Sequence, residues 1–159
     1  MPTRTVPDTV ARAKTYIFRL LKIRFRSEKE ARDKLQQKGF SEPTADEAVG
    51  YFKSLDLIND RQFARRWIAS RLSSSNKPFG VHRIRFELKE KGIDPDLLKE
   101  EFERATADYS EGEVVARLAR RQALKYRDIP REKVKQRVYG YLLRRGFNPA
   151  VVMKAIKDI

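Results

Sequence analysis

Three glycines, Gly39, Gly92 and Gly146, recur at spacings of 53 and 54 residues inside one repeated phrase. Four residues before each stands a leucine: Leu35, Leu88 and Leu142. A cation comes immediately before (Lys38, Lys91, Arg145) and a large apolar residue immediately after (Phe40, Ile93, Phe147). Next come Ser41, Asp94 and Asn148, all good helix N-caps, with Pro43, Pro95 and Pro149 close behind. The phrase has a local physical meaning. A helix stops at a glycine that takes the left-handed conformation other residues resist. The apolar residue pins the turn to the core, and the cap and proline start the next helix.

Each copy therefore reads as helix, glycine turn, helix. The residues that follow keep helical apolar spacing: Ala45, Val49 and Phe52; Leu98, Phe102 and Ala105; Val152, Ile156 and Ile159. A further helix precedes each pair. Its apolar stripe is Val10, Ala13, Ile17, Leu20 and Leu21 in the first copy, and Phe63, Trp67 and Ile68 in the second. In the third it is Val114, Val115, Leu118, Ala119 and Leu124. The links RFRS, SSSNKPFG and KYRDIPRE carry turn residues, and no alternating β-branched run or Asn-Gly hairpin signals a strand. The fold class expected is all-α, an elongated and curved array of three tandem three-helix repeats. The expected boundaries are a flexible tail over 1–9 and repeats over 10–56, 57–109 and 110–159. One unit of this size buries too little apolar surface alone, so the repeats should stack.

Charge follows the repeat. The chain carries a net +14. Residues 12–38 hold ten cations against three carboxylates, 61–91 nine against two, and 117–145 eleven against two. The intervening segments reverse the sign: 42–60 hold five carboxylates and one lysine, and 94–111 hold seven with two cations. Helices one and two of each unit are thus basic, and stacked units would align them into a stripe suited to an extended polyanion. There is no cysteine, hence no disulfide framework or thiolate chemistry. No apolar run is long enough to span a bilayer and MPTRTVPDTV lacks a secretory core, so the expectation is a cytoplasmic protein with no membrane partner. No heptad seam is present, and a monomer is expected.

Catalytic signals are absent. His82 is the only histidine and has too few companions for zinc. No phosphate-binding loop or nucleophile elbow occurs. Glu100 and Glu101 read as surface carboxylates, and Phe63, Trp67, Phe86 and Phe102 as core. Phe79, Tyr126, Tyr139 and Tyr141 are the aromatics best placed for exposure beside cations, although packing is favoured for them too. No enzyme, metal or cofactor is expected.

The segment LINDRQFARRWIASRLSSSNKPFGVHRIRFELKEKGID (57–94) resembles the RecX family, regulators of the RecA recombinase. The residues that carry the likeness are Asn59, Asp60, Arg61, Phe63, Ala64 and Arg71, then Pro78, Arg83, Ile84, Glu87, Leu88, Lys91, Gly92 and Ile93. RSEKEARDKLQQKGF (26–40) is similar to the family's first repeat. Ala31, Asn59 and Phe79 depart from its usual pattern. The resemblance implies binding to the RecA–single-stranded-DNA filament, with restraint of its ATPase, extension and strand exchange, and so effects on recombinational repair and the SOS response. DNA would be met through the filament or weakly by direct contact. The nominated contact residues are Arg65, Arg66, Arg71, Arg83, Arg85 and Lys89 on the middle unit's first two helices, with Arg120, Arg121, Arg144 and Arg145, the densest pairs of the third unit; periodicity argues that they are exposed, not that they are specific. Asp60 reads instead as a helix N-cap. The alternative is a helix-turn-helix-like module acting on DNA directly.

Overall fold

The computed structural model describes residues 7–75 and 77–159. The tail expected over 1–9 therefore lies outside the described residues up to residue 6, as does Asn76 in the SSSNKPFG link. Nine α-helices are present among the described residues, and no strand. They are α1 (Val10–Ile23), α2 (Glu28–Gln37), α3 (Glu42–Ser54), α4 (Asp60–Leu72), α5 (Val81–Glu90), α6 (Pro95–Ala105), α7 (Glu111–Ala123), α8 (Arg131–Arg144) and α9 (Pro149–Ala155). A 3-10 turn, Ile156–Asp158, closes the chain. The order is three helices, three times.

All three repeated glycines lie in the left-handed region, with φ of +96°, +76° and +84° at 39, 92 and 146. The amides of Phe40, Ile93 and Phe147 donate to the carbonyls of Leu35, Leu88 and Leu142, so the three turns share one closing bond. That bond satisfies a carbonyl the helix end would otherwise orphan. The Asp94 carboxylate caps α6 by accepting the Asp96 and Leu97 amides, and the Asn148 side chain caps α9 by accepting the Ala150 amide. Ser41 does not cap α3 with its hydroxyl, which instead donates to Thr44 Oγ1. Its amide donates to Asp8.

The chain divides into two compact units. One comprises Met1–Arg65 with Leu88–Leu98, the other Arg66–Glu87 with Lys99–Ile159. In the first unit, Ala13 and Ile17 of α1, Ala31 and Leu35 of α2, Phe40, and Ala45, Ala48, Val49 and Phe52 of α3 form one core with Ile58. In the second unit, Val115, Leu118 and Ala119 of α7 meet Val134, Val138 and Leu142 of α8, then Phe147, Val152, Ala155 and Ile156.

Four residues lie elsewhere than the sequence reading places them. Phe86 is 64% exposed and Leu124 62%, the latter as the C-cap of α7 rather than part of its stripe. Ala105, at the end of α6, is also exposed. Glu101, read as surface, is 2% exposed. Phe86→Ser should accordingly change stability by less than about 0.5 kcal/mol. Phe102→Ala should cost about 3–5 kcal/mol, because Phe102 is buried. Urea unfolding of the two variants separates these outcomes.

Successive repeats touch within each unit by one rule. In the first, the Ser27 hydroxyl at the start of α2 donates to the Lys91 carbonyl (2.7 Å), and Lys91 Nζ donates to Glu30 (2.7 Å). In the second, the Gly80 amide at the start of α5 donates to the Arg145 carbonyl (2.8 Å), and the His82 amide to the Gly146 carbonyl (3.2 Å). The start of a second helix thus seats on the glycine turn that ends the second helix of the next repeat. Only a glycine admits this approach. A Cβ at Gly92 would lie 2.6 Å from Lys29 Cβ, and one at Gly146 would lie 2.9 Å from Arg83 Cα. Asp60 is a cap, as expected, but for another helix: its carboxylate accepts the Glu28 amide of α2 (2.8 Å). Asn59 caps α4 itself through the Gln62 amide.

Glu30 is the electrostatic hub of the first contact. Burial pushes its carboxyl up, but hydrogen bonds from Arg24, Lys91 and the Ser27 amide outweigh burial and hold it at about 2. A carboxyl lowered on folding contributes stability that is complete above its ordinary 4.5 and lost as pH falls toward 2. Glu30→Gln removes that contribution. Wild type should be the more stable at pH 7, and the two urea midpoints should converge on acidification through this window.

Candidate partner-binding surface

Of the ten nominated cations, Arg65, Arg66, Arg83, Arg85, Lys89, Arg120, Arg121 and Arg144 are exposed, and Arg71 and Arg145 are half-buried. Helix geometry explains the exposed set. In α4 the buried positions are Phe63, Ala64 and Ile68, which leaves Arg65 and Arg66 outside. In α5 the buried Ile84 and Leu88 turn Arg83, Arg85 and Lys89 to solvent.

The second unit brings three of these cations together around one aromatic ring. The guanidinium carbons of Arg145, Arg83 and Arg71 lie 4.1, 4.3 and 5.1 Å from the Phe79 ring centre. Glu87 offsets part of this charge. It accepts from Arg83 Nε (3.1 Å) and the Trp67 indole (2.9 Å), and it pairs with Arg71 at 3.4 Å. Arg145 spends its donors on backbone: Nε on the Pro78 carbonyl (2.9 Å) and Nη2 on that of Lys77. Burial, and then the neighbouring Arg83 and Arg71 charges, lower its pKa. Arg145 therefore clamps the link before α5 onto the turn after α8. Phe79 is the stacking floor of that clamp, a role carried by Arg–aromatic attraction.

The other cations go elsewhere. Arg85 stands over Phe102 at 5.0 Å and lines a cavity of about 650 Å³ with His82, Lys99, Thr106 and Tyr109. The Tyr109 hydroxyl has no partner among the described residues, and burial, with help from Glu111, pushes its pKa up to about 12. Arg120 lines a separate groove between α7 and α9 with Arg117 and Lys154. The periodicity reading missed a further set. Phe18, Ile23 and Phe25 are 49%, 76% and 53% exposed beside Lys22 and Arg24, at the end of α1. The signal was present in FRLLKIRF, whose apolar residues exceed what one buried stripe accommodates. Among the described residues no group of histidines, cysteines and carboxylates could hold a metal ion, and no helix is long and apolar enough to cross a membrane.

These features define a class: a basic, all-α protein of tandem three-helix repeats, two of whose glycine turns receive the second-helix start of the preceding repeat. The chain belongs to the RecX family. Its first, second and third three-helix domains match residues 13–52, 59–100 and 110–156. A relative named regulatory protein RecX, from Haemophilus influenzae, is 35% identical over 83% of this chain and 84% of its own length. One of the same name from Clostridium perfringens is 30% identical over 89% of this chain; the chain spans 65% of that relative's length. The crystal structure of RecX from Lactobacillus salivarius matches with a TM-score of 0.76 at 24% identity, covering 96% of this chain and 97% of that one. A second crystal structure, of regulatory protein RecX, matches at TM-score 0.79 and 23% identity, over 94% and 73% of the two chains.

Proposed function

We propose that this chain is a non-catalytic regulator that binds the RecA–single-stranded-DNA filament and restrains its growth, its ATP hydrolysis and its strand exchange. The observation that carries the reading is family membership over all three repeats, on a chain of net +14 whose nominated cations are mostly exposed. A filament offers a repeating partner and a line of phosphates, and this chain offers exposed cations in its second and third repeats. Attraction of this kind steers association and weakens as salt screens it. Each phosphate neutralised would also release counterions, so log affinity should fall linearly with log salt.

The test is co-sedimentation with preassembled RecA filaments on oligo-dT, at several salt concentrations, beside the bare oligonucleotide. Tighter binding to the filament than to the bare strand is expected at every salt concentration. Equal binding to both would instead favour the direct DNA-binding reading. Simultaneous charge reversal of Lys89, Arg120 and Arg144 should weaken filament binding by at least about 10-fold with little loss of stability, since all three are exposed.

A further inference from the structure

In two repeats the glycine turn receives the start of a helix. Lys91 accepts the Ser27 hydroxyl with its carbonyl and holds Glu30 with its ammonium, while Lys29 covers Gly92. Arg145 accepts the Gly80 amide with its carbonyl and grips the Pro78 carbonyl, while Arg83 covers Gly146. The corresponding residues of the first repeat are Lys38 and Gly39. Among the described residues nothing lies within 4 Å of where a Gly39 Cβ would stand. Beside this turn is a cavity of about 380 Å³ lined by Arg12, Thr15, Tyr16, Arg19, Lys38 and Phe40. Three of its six lining residues are cations and none is a carboxylate. Lys38 Nζ leans over the Tyr16 ring at 5.6 Å. Asp8 reaches the same turn, where it accepts the Ser41 amide.

We propose, building on the filament reading above, that the Gly39 turn and its cavity receive an acidic helix start of the partner protein. A hydroxyl or amide at that helix's N-cap would donate to the Lys38 carbonyl, and a first-turn carboxylate would seat among Lys38, Arg12 and Arg19. The template is α2, whose Ser27 and Glu30 form a capping box and dock in this way on Lys91. The partner motif is thus a helix opening with Ser or Thr and carrying Glu three residues on.

Two other occupants fit less well. A DNA phosphodiester offers charge but no donor for the turn carbonyl. A second copy would have to present the start of α8. Its N-cap is Pro130, which has no amide hydrogen, and Arg131 beside it is engaged with the Ile159 carbonyl. Two chains of +14 also repel.

Two variants test this. Arg12→Glu with Lys38→Glu reverses the cavity's charge, and Thr15→Trp fills the cavity without changing charge, from an exposed position. Thermal melting first establishes that each folds as wild type does. Both should bind preassembled RecA filaments at least about 10-fold more weakly. Thr15→Trp should bind bare oligo-dT within about twofold of wild type, since it removes no cation. Filament binding by both variants equal to that of wild type would overturn the docking site and leave the filament reading standing. Loss by the charge variant alone, equal on filament and bare strand, would overturn it in favour of phosphate contact. Wild-type dimerisation in sedimentation, abolished by Thr15→Trp, would overturn it in favour of a second copy. No wild-type binding to filaments at all would remove the filament reading, and this partner with it.

Discussion

Gly146→Ala should cost about 2–5 kcal/mol, against about 1–2 kcal/mol for the same change at Gly39. Both positions have left-handed φ, +84° and +96°, so an L side chain pays about 1–2 kcal/mol at either. At Gly39 nothing among the described residues lies within 4 Å of the new methyl, and that strain is the whole cost. At Gly146 the methyl would also collide with Arg83, including its backbone, with Cα at 2.9 Å. Backbone cannot swing aside as a side-chain end can, so the contact that seats α5 on the turn after α8 must open. That adds an overpacking cost of about 1–3 kcal/mol and threatens the amide bonds from Gly80 and His82. Urea unfolding of the two alanine variants measures the difference. Equal losses would mean that the turn is locally strained but carries no docking.

Arg145→Ala should destabilise the chain by about 2–4 kcal/mol, while Arg144→Ala should change it by less than about 0.5 kcal/mol. The two arginines are adjacent and equal in charge, yet their surroundings differ. Arg144 is exposed, whereas Arg145 is half-buried, bonded to the Lys77 and Pro78 carbonyls and stacked on Phe79. Removing it leaves two carbonyls without donors and the ring without its nearest cation. Arg145→Lys should restore little, because one ammonium cannot reproduce the planar two-pronged donor. In filament binding the order should reverse for a given amount of folded protein: Arg144→Ala weakens it and Arg145→Ala does so less. Thermal melts and filament co-sedimentation of the same preparations give both orders.

The glycine turns were legible in the sequence because their physics is local. A left-handed glycine, the preceding leucine and the following cap lie within ten residues of each other, so composition at fixed spacing reports them. The asymmetry between Arg144 and Arg145 was not legible, since Arg145 takes its meaning from Lys77 and Pro78, 68 and 67 residues earlier. Asp60 shows the same limit. Its type as a cap could be read, but the helix it caps begins 32 residues upstream. Phe86 and Leu124 were misread because apolar periodicity describes a face and says nothing of where that face ends. Glu101 is misread for the opposite reason, since a carboxylate on a helix rich in counter-charges reads as surface whatever covers it. Charge density picks out the cation set and helical periodicity places it on the outside of helices, but neither says which of its members the fold consumes.

The most direct test is the steady-state ATP hydrolysis of cognate RecA on single-stranded DNA, titrated with this protein. The expected result is a rate that falls with increasing protein, with filaments that shorten in parallel and with weaker effect at higher salt. A rate and a filament length unchanged at saturating protein would contradict it.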